Sequence, residues 1–338
     1  MNVKGNHMPK NPHRRRAAVM TGAVLSGLLA VPAAGPVAAA PAARVVSVQK
    51  KGPQRELITV FSPSMNQNIP LDVLVPKGGG PAPTLYLLNG AAGGEGEGNW
   101  ADKTDYATFF RTKHVNVVTP LKGKLSYYTD WLHRDPKMGK PMWETFLTRE
   151  LPPLIDATLG TTGKNATAGI SMAGTSVLNL AIVRPGLYRA VAAYSGCART
   201  SDPLGQEYIK QVVEGRGGGS VTNMWGRLGG PDWIRHDPYI NAAKLRGLSI
   251  YLSSMTGLPG QDEAINNPKN LQGDFADRIV LGGPIEAAMN ACTQQMDQKL
   301  RSLNIPATFV VRPAGTHSWG YWDRELKASW PQISRAIR

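Results

Sequence analysis

Thr167-Ala168-Gly169-Ile170-Ser171-Met172-Ala173-Gly174-Thr175-Ser176-Val177-Leu178 is the stretch whose reading decides the fold. It sets one serine among small residues, after a short apolar run and before a helix-forming one. Gly169-Ile170-Ser171-Met172-Ala173 has the form Gly-x-Ser-x-Ala. That is one residue away from the Gly-x-Ser-x-Gly nucleophile elbow, in which a sharp strand-to-helix turn exposes the serine hydroxyl. The turn needs small residues two before and two after the serine, because a larger side chain would strike neighbouring backbone. Ala173 still meets that need. An ordinary Gly/Ser turn before a helix would use the same residues, so the rest of the chain has to decide between the two.

Working outward, 166–170 reads as the strand entering the turn and 175–183 as the helix leaving it. Upstream, 56–61 and 69–75 alternate apolar and polar residues around Ser62-Pro63-Ser64-Met65-Asn66, which predicts a hairpin following strand material that begins at Arg44. Residues 84–88, Thr-Leu-Tyr-Leu-Leu, form an apolar run of the kind a central strand covered on both faces requires, and 115–120 reads as the next short buried strand. Residues 143–151 carry apolar side chains at helical spacing, continuing to Ile155. Downstream, 190–196, 248–253 and 307–311 read as strands, with a helix from Glu286 to about Leu303 between the last two. Strands alternating with helices predict an α/β fold, a doubly wound and mainly parallel central sheet with helices on both faces. The stretch 199–245, with Gly217-Gly218-Gly219, reads as an excursion or lid within a single domain spanning 44–338. No internal repeat is present.

The chain has 338 residues, 42% of them apolar, enough for a sizeable core and too many for a disordered protein. Its first forty residues stand apart. Lys4, Lys10 and Arg14-Arg15-Arg16 precede an apolar stretch that is followed by Ala38-Ala39-Ala40-Pro41-Ala42-Ala43. A basic region, an apolar region and a small-residue zone make a secretory signal peptide over 1–43, cleaved near 40–43. The adjacent arginines also permit twin-arginine export. Gly22, Gly27 and two prolines interrupt the apolar stretch, so the expected mature chain is secreted and not an integral membrane protein. Removing 1–40 takes away five basic and no acidic side chains, lowering the formal charge from +14 to +9. No Lys/Arg run or aromatic-interleaved basic patch follows Arg16, which argues against nucleic acid as a partner. A diffuse positive charge fits an anionic envelope surface.

A serine is a poor nucleophile without a base and a carboxylate to orient that base. His7 and His13 leave with the leader. His114 precedes a strand, and His133 and His236 sit in polar segments where surface or capping roles are expected. His317, in Ala314-Gly315-Thr316-His317-Ser318-Trp319, follows the last strand in a glycine-punctuated loop. There the order serine, acid, histidine puts the base, so the acid lies among Asp262, Glu263, Asp274, Asp277, Glu286 and Asp297. The loop Asn89-Gly90-Ala91-Ala92-Gly93-Gly94 after the central strand can turn one backbone N–H toward an oxyanion, and the residue after the nucleophile, Met172, supplies another. The two cysteines, Cys197 and Cys292, predict one structural disulfide in an exported chain. No His/Cys spacing suits a metal, and none is assigned.

Six motifs carry a resemblance. Ser62-Pro63-Ser64-Met65, Ser126-Tyr127-Tyr128-Thr129-Asp130-Trp131, 143–150, Gly169-Ile170-Ser171-Met172-Ala173-Gly174, Asn223-Met224-Trp225-Gly226 and Gly315-Thr316-His317-Ser318-Trp319-Gly320-Tyr321-Trp322 resemble, in the same order, the mycolyltransferases of the antigen 85 type. The two cysteines and the Asn-Gly-Ala loop look closer to the corynebacterial branch. The resemblance implies an α/β-hydrolase fold, secretion to the cell envelope and no cofactor. It also implies transfer of mycolyl groups between trehalose mycolates and cell-wall glycan through a serine acyl-enzyme. By position it places the nucleophile on Ser171, the base on His317, the acid on Glu286, the oxyanion donors on Ala91 and Met172, and a tryptophan of the active site on Trp319. The family's aspartate and arginine beside the trehalose site stand here as Asn89 and Ala92, so Asn89 is the expected sugar contact in an altered mode. The excursion at 199–230 and glycine-rich 93–98 are expected to wall a lipid groove. A secreted carboxylesterase with the same triad is the alternative, and a catalytically silent envelope-binding protein a more distant one.

Overall fold

Alternating and continuous apolar segments become strands of one sheet, since each buries one face or both. The computed structural model describes residues 42–264 and 275–338. Nine strands run β1 Arg44–Gly52, β2 Arg55–Ser62, β3 Gln67–Leu74, β4 Thr84–Leu88, β5 Asn116–Pro120, β6 Asn165–Ile170, β7 Tyr188–Tyr194, β8 Ser249–Met255 and β9 Thr308–Arg312. Their order in the sheet is β1-β2-β3-β5-β4-β6-β7-β8-β9. The first three form an antiparallel meander that joins β5 antiparallel; from β5 to β9 every pairing is parallel. β4, β5 and β6 are buried along their whole length, as strands covered on both faces must be.

Helices cover both faces. On one side lie Met172–Val183 and Gly283–Ser302, packed through Val177, Leu180, Met296 and Leu300. On the other, Trp319–Ala336 presents Trp322, Leu326, Trp330 and Ile333, joined by Trp100, Tyr106 and Phe110 from two short helices, Trp100–Lys103 and Tyr106–Phe110. This is the mainly parallel, helix-covered sheet expected of the sequence.

Three elements differ from expectation. The helix after the turn begins at Met172 instead of Thr175, because the elbow feeds straight into it. The helical stretch from Trp143 is broken by a π-helical turn at Phe146–Glu150 before resuming at Leu151–Leu159. The long C-terminal helix is absent from the sequence reading; Pro331 sits inside it and cannot donate to the preceding turn, which weakens the local signal. The excursion is ordered into helices, among them Pro203–Lys210, the π-helical continuation Gln211–Arg216, and Val221–Trp225.

The parallel strands all point their carboxyl ends to one edge. β4 delivers Asn89-Gly90-Ala91 there, β6 delivers Ser171, β7 Ser195, β8 Met255, and the loop after β9 brings His317. In open α/β sheets ligands bind at that edge.

Candidate active site

Ser171 turns the chain from β6 into the helix Met172–Val183 at φ 55° and ψ −122°. A non-glycine residue holds positive φ only where its surroundings enforce it. Here the Ser171 N–H donates to the Tyr194 carbonyl at 2.9 Å. A Cβ on Gly169 would lie 2.8 Å from the Ala173 Cβ and carbonyl oxygen, and one on Gly174 would lie 2.9 Å from the Tyr194 carbonyl oxygen. The methyl of Ala173 is accommodated because residue 169 has no side chain to meet it.

The Ser171 hydroxyl is 2.8 Å from His317 Nε2, and His317 Nδ1 is 2.7 Å from Glu286 Oε2. The other oxygen of Glu286, Oε1, accepts from the Met255 N–H at 2.7 Å and the Ser195 hydroxyl at 2.8 Å. Ser195 in turn accepts from Trp322 Nε1 at 3.0 Å, and the Trp322 ring meets the His317 ring edge-on, centroids 4.8 Å apart. Glu286 is fully buried, so its carboxylate costs desolvation unless such donors surround it. With Oε1 occupied, Oε2 is left to orient the imidazole.

Of the other acids, Asp262 pairs with Arg324 at 2.8 Å, and Glu263 accepts from Thr316 and Tyr321. Asp297 pairs with Arg301, Asp277 is exposed, and Asp274 lies outside the described residues.

Ala91 and Met172 both line the cavity beside Ser171. Among the described residues neither backbone N–H has a protein acceptor. Met172 also opens a twelve-residue helix, whose positive end favours developing negative charge. The cavity encloses about 370 Å³ and runs between Tyr208, Ile209 and Val212 of the excursion and Ile285, Ala288 and Met289 of the helix Gly283–Ser302. Burial raises the pKa of the Tyr127 phenol, which borders the cavity as a neutral hydroxyl. Arg216, exposed, is the one Lys/Arg/Asp/Glu side chain in its lining. The Cys197–Cys292 disulfide, Cα atoms 5.0 Å apart, ties the loop after β7 to the helix that carries Glu286.

Several expected placements are corrected. Asn89 is fully buried and spent on the backbone: its Nδ2 donates to the Pro120 carbonyl at 2.9 Å and its Oδ1 accepts from the Trp100 N–H at 3.2 Å. It clamps the loop, is fully buried and does not line the cavity beside Ser171, so it offers no contact to a sugar there. Trp319 is half-buried, edge-on to Trp100 and Trp322, and does not line the cavity. The glycine-rich 93–98 does not wall the cavity either, because Gly93 and Gly94 are packed tightly against Lys124 and Asn89. His236 does cap its helix, but it is fully buried, stacked on Trp225 and 3.2 Å from Glu144 Oε2.

Residues 62–333 match the Esterase family model. The chain is 32% identical over 299 residues to the diacylglycerol acyltransferase/mycolyltransferase Ag85A of Mycobacterium tuberculosis, with 83% of this chain and 81% of the relative covered. It is 30% identical over 335 residues to Ag85C of Mycobacterium leprae, with 97% and 93% covered. The chain belongs to the Ag85 mycolyltransferase family. The crystal structure of Mycobacterium tuberculosis MPT51 (FbpC1) matches this Ag85-family fold with a TM-score of 0.70 at 26% identity, covering 85% of this chain and all of that one. An S-formylglutathione hydrolase from Agrobacterium tumefaciens matches with a TM-score of 0.61 at 14% identity, covering 87% and all of that chain. That second likeness shows the α/β-hydrolase fold alone.

This Ag85-family chain is a serine-dependent acyltransferase. Three of its supporting groups escape a linear reading. Ser195, the Met255 N–H and Trp322 converge on Glu286 and His317 from strand ends and a helix far apart in sequence. The one local signal was Ser195-Gly196 at the end of a strand, where Ser195 has φ 52° and a Cβ on Gly196 would strike Gly174.

Proposed function

We propose that Ser171 is the nucleophile, His317 the base and Glu286 the orienting acid in transfer of mycolyl groups from trehalose mycolates to trehalose or cell-wall glycan. The observation that carries the reading is the hydrogen-bonded chain Ser171–His317–Glu286, 2.8 and 2.7 Å, opening on an apolar cavity of acyl-binding character. The Ag85-type relatives support the acyl class. Export through a leader over 1–43, and residence of the mature domain 44–338 in the envelope, belong to the same proposal. Among the described residues no helix is long and apolar enough to cross a membrane.

His317 takes the Ser171 proton as the oxygen attacks the ester carbonyl. The tetrahedral oxyanion is held by the N–H groups of Ala91 and Met172, each worth about 3–4 kcal/mol in the transition state. The leaving sugar oxygen takes the proton from His317, and the acyl group remains on Ser171. An acceptor hydroxyl then gives its proton to His317 and reverses the sequence. Transfer requires the acceptor to outcompete water, which the narrow cavity and the Tyr208–Val212 wall favour by limiting solvent.

The test is mass spectrometry of the protein incubated with trehalose monomycolate, with and without added trehalose. An adduct on Ser171 that becomes trehalose dimycolate is the expected result. Free mycolic acid alone would make it an esterase, and no adduct and no product would remove Ser171 from the reaction.

A further inference from the structure

A second concavity, about 640 Å³, opens next to the acyl cavity, and Arg216 lines both. Its walls carry Lys122, Lys124, Arg134, Lys137, Lys140 and Arg216 against a single carboxylate, Glu95. None of the six cations is paired with a carboxylate among the described residues. Lys140 Nζ reaches the Leu132 carbonyl at 3.1 Å and Lys122 Nζ the Gln67 amide oxygen at 3.5 Å, both neutral. Like charges gathered without counter-charge repel one another and destabilise the compact state. A concave surface that keeps six of them is therefore arranged for an anion.

The floor is rigid and tied to the reaction centre. Leu125 lines the cleft and, with Tyr127 and Tyr128 just after it in the chain, holds positive φ (57°, 54° and 46°), a conformation that persists only where surroundings over-determine it. The Leu125 N–H donates to the Ala91 carbonyl at 2.8 Å, and the Ser176 hydroxyl to the Tyr127 carbonyl at 2.7 Å. The cleft is thus braced against the loop and helix that carry Ala91 and Met172.

We propose that this cleft binds a saccharide chain bearing repeated anionic groups, phosphate or carboxylate, and leads it past Arg216 toward Ser171. Cations supply affinity for the anions, and the exposed amide of Asn66 together with Gln67 offers partners for sugar hydroxyls. A bilayer does not suit a concave face. Nucleic acid would call for stacking platforms, whereas the one aromatic ring in the wall, Trp143, is buried. That the bound chain is the acyl acceptor rests on the transferase reading above; that it binds does not.

The full chain is titrated calorimetrically with oligogalacturonate, with a neutral malto-oligosaccharide of equal length, with phosphatidylglycerol vesicles and with duplex DNA. Oligogalacturonate should bind at least about tenfold more tightly than the neutral chain, and more weakly as salt is raised. The exposed Arg134 and Lys137 are reversed together, Arg134→Glu with Lys137→Glu; affinity should fall about tenfold while hydrolysis of p-nitrophenyl butyrate stays within about twofold. Equal binding of the neutral chain, unchanged affinity in the double variant, or tighter binding to vesicles or DNA than to oligogalacturonate would each overturn the proposal. Loss of ester hydrolysis in the unmodified protein would instead count against the transferase reading and leave the cleft standing.

Discussion

The two concavities that meet at Arg216 are built on opposite electrostatic plans. Beside Ser171 the buried acid is saturated: every oxygen of Glu286 has a donor, and the walls of the cavity are mostly apolar. In the neighbouring cleft five of the six cations are exposed and, among the described residues, none is paired with a carboxylate, Glu95 being the one acid in the wall. The difference follows from where the charge is needed. A relay needs its ionised group fixed in a dry place, where a hydrogen bond is strong and an unsatisfied one costly. A surface that gathers a charged chain from solution needs its cations wet and free, and accepts their mutual repulsion until the ligand arrives.

Substitutions separate the two plans, beginning with the greatest effect. Ser171→Ala should abolish labelling by a serine-directed phosphonate and lower turnover by about 10⁴-fold or more, with oligogalacturonate affinity unchanged. Labelling that survives would strike the serine from the mechanism. Glu286→Gln should lower turnover by about 10⁴-fold with the circular dichroism spectrum preserved, because the neutral amide cannot stabilise the imidazolium. Full activity would return the role to Asp262 or Glu263.

Breaking the disulfide with Cys197→Ser and Cys292→Ser should cost about 2–4 kcal/mol in chemical denaturation. Activity should suffer more than binding in the cleft, since the bridge steadies the helix of Glu286. Equal losses at both places would mean that it braces the whole domain. The mildest change is Ala288→Trp, which fills part of the cavity wall contributed by the helix Gly283–Ser302. It should cut turnover of long-chain esters by about tenfold relative to short ones. If both esters respond alike, the acyl chain lies elsewhere.

Much of the fold could be read in the chain because its signals are local. Residues 84–88, Thr-Leu-Tyr-Leu-Leu, are mainly apolar and bounded by turn residues, as a covered strand requires, and the small residues around Ser171 make the turn that exposes it. His317 was legible through chain order and its glycine-punctuated loop. The helix Trp319–Ala336 was not, although Trp322, Leu326, Trp330 and Ile333 recur at helical spacing, because the proline within it masks that period. Asn89 shows the converse: the family resemblance implies a sugar contact there, whereas packing turns both ends of its amide onto backbone groups.

By itself the sequence determined the alternating α/β order, the exposed serine, its histidine and the single pair of cysteines, all of which depend on residue type and near neighbours. The choice among six acids by residue pattern alone stayed open, because an acid's role depends on its distance from His317, and Glu286 lies 31 residues before it. The family resemblance singled out Glu286, and the tertiary structure brings its carboxylate to the imidazole. That structure alone brought Ser195, Met255 and Trp322 together behind it. The same holds for the cationic cleft: no basic run appears after Arg16, yet folding draws residues from 122–140 together with Arg216 into one wall. Charge adds through space rather than along the chain, so its concentration is a property of the fold.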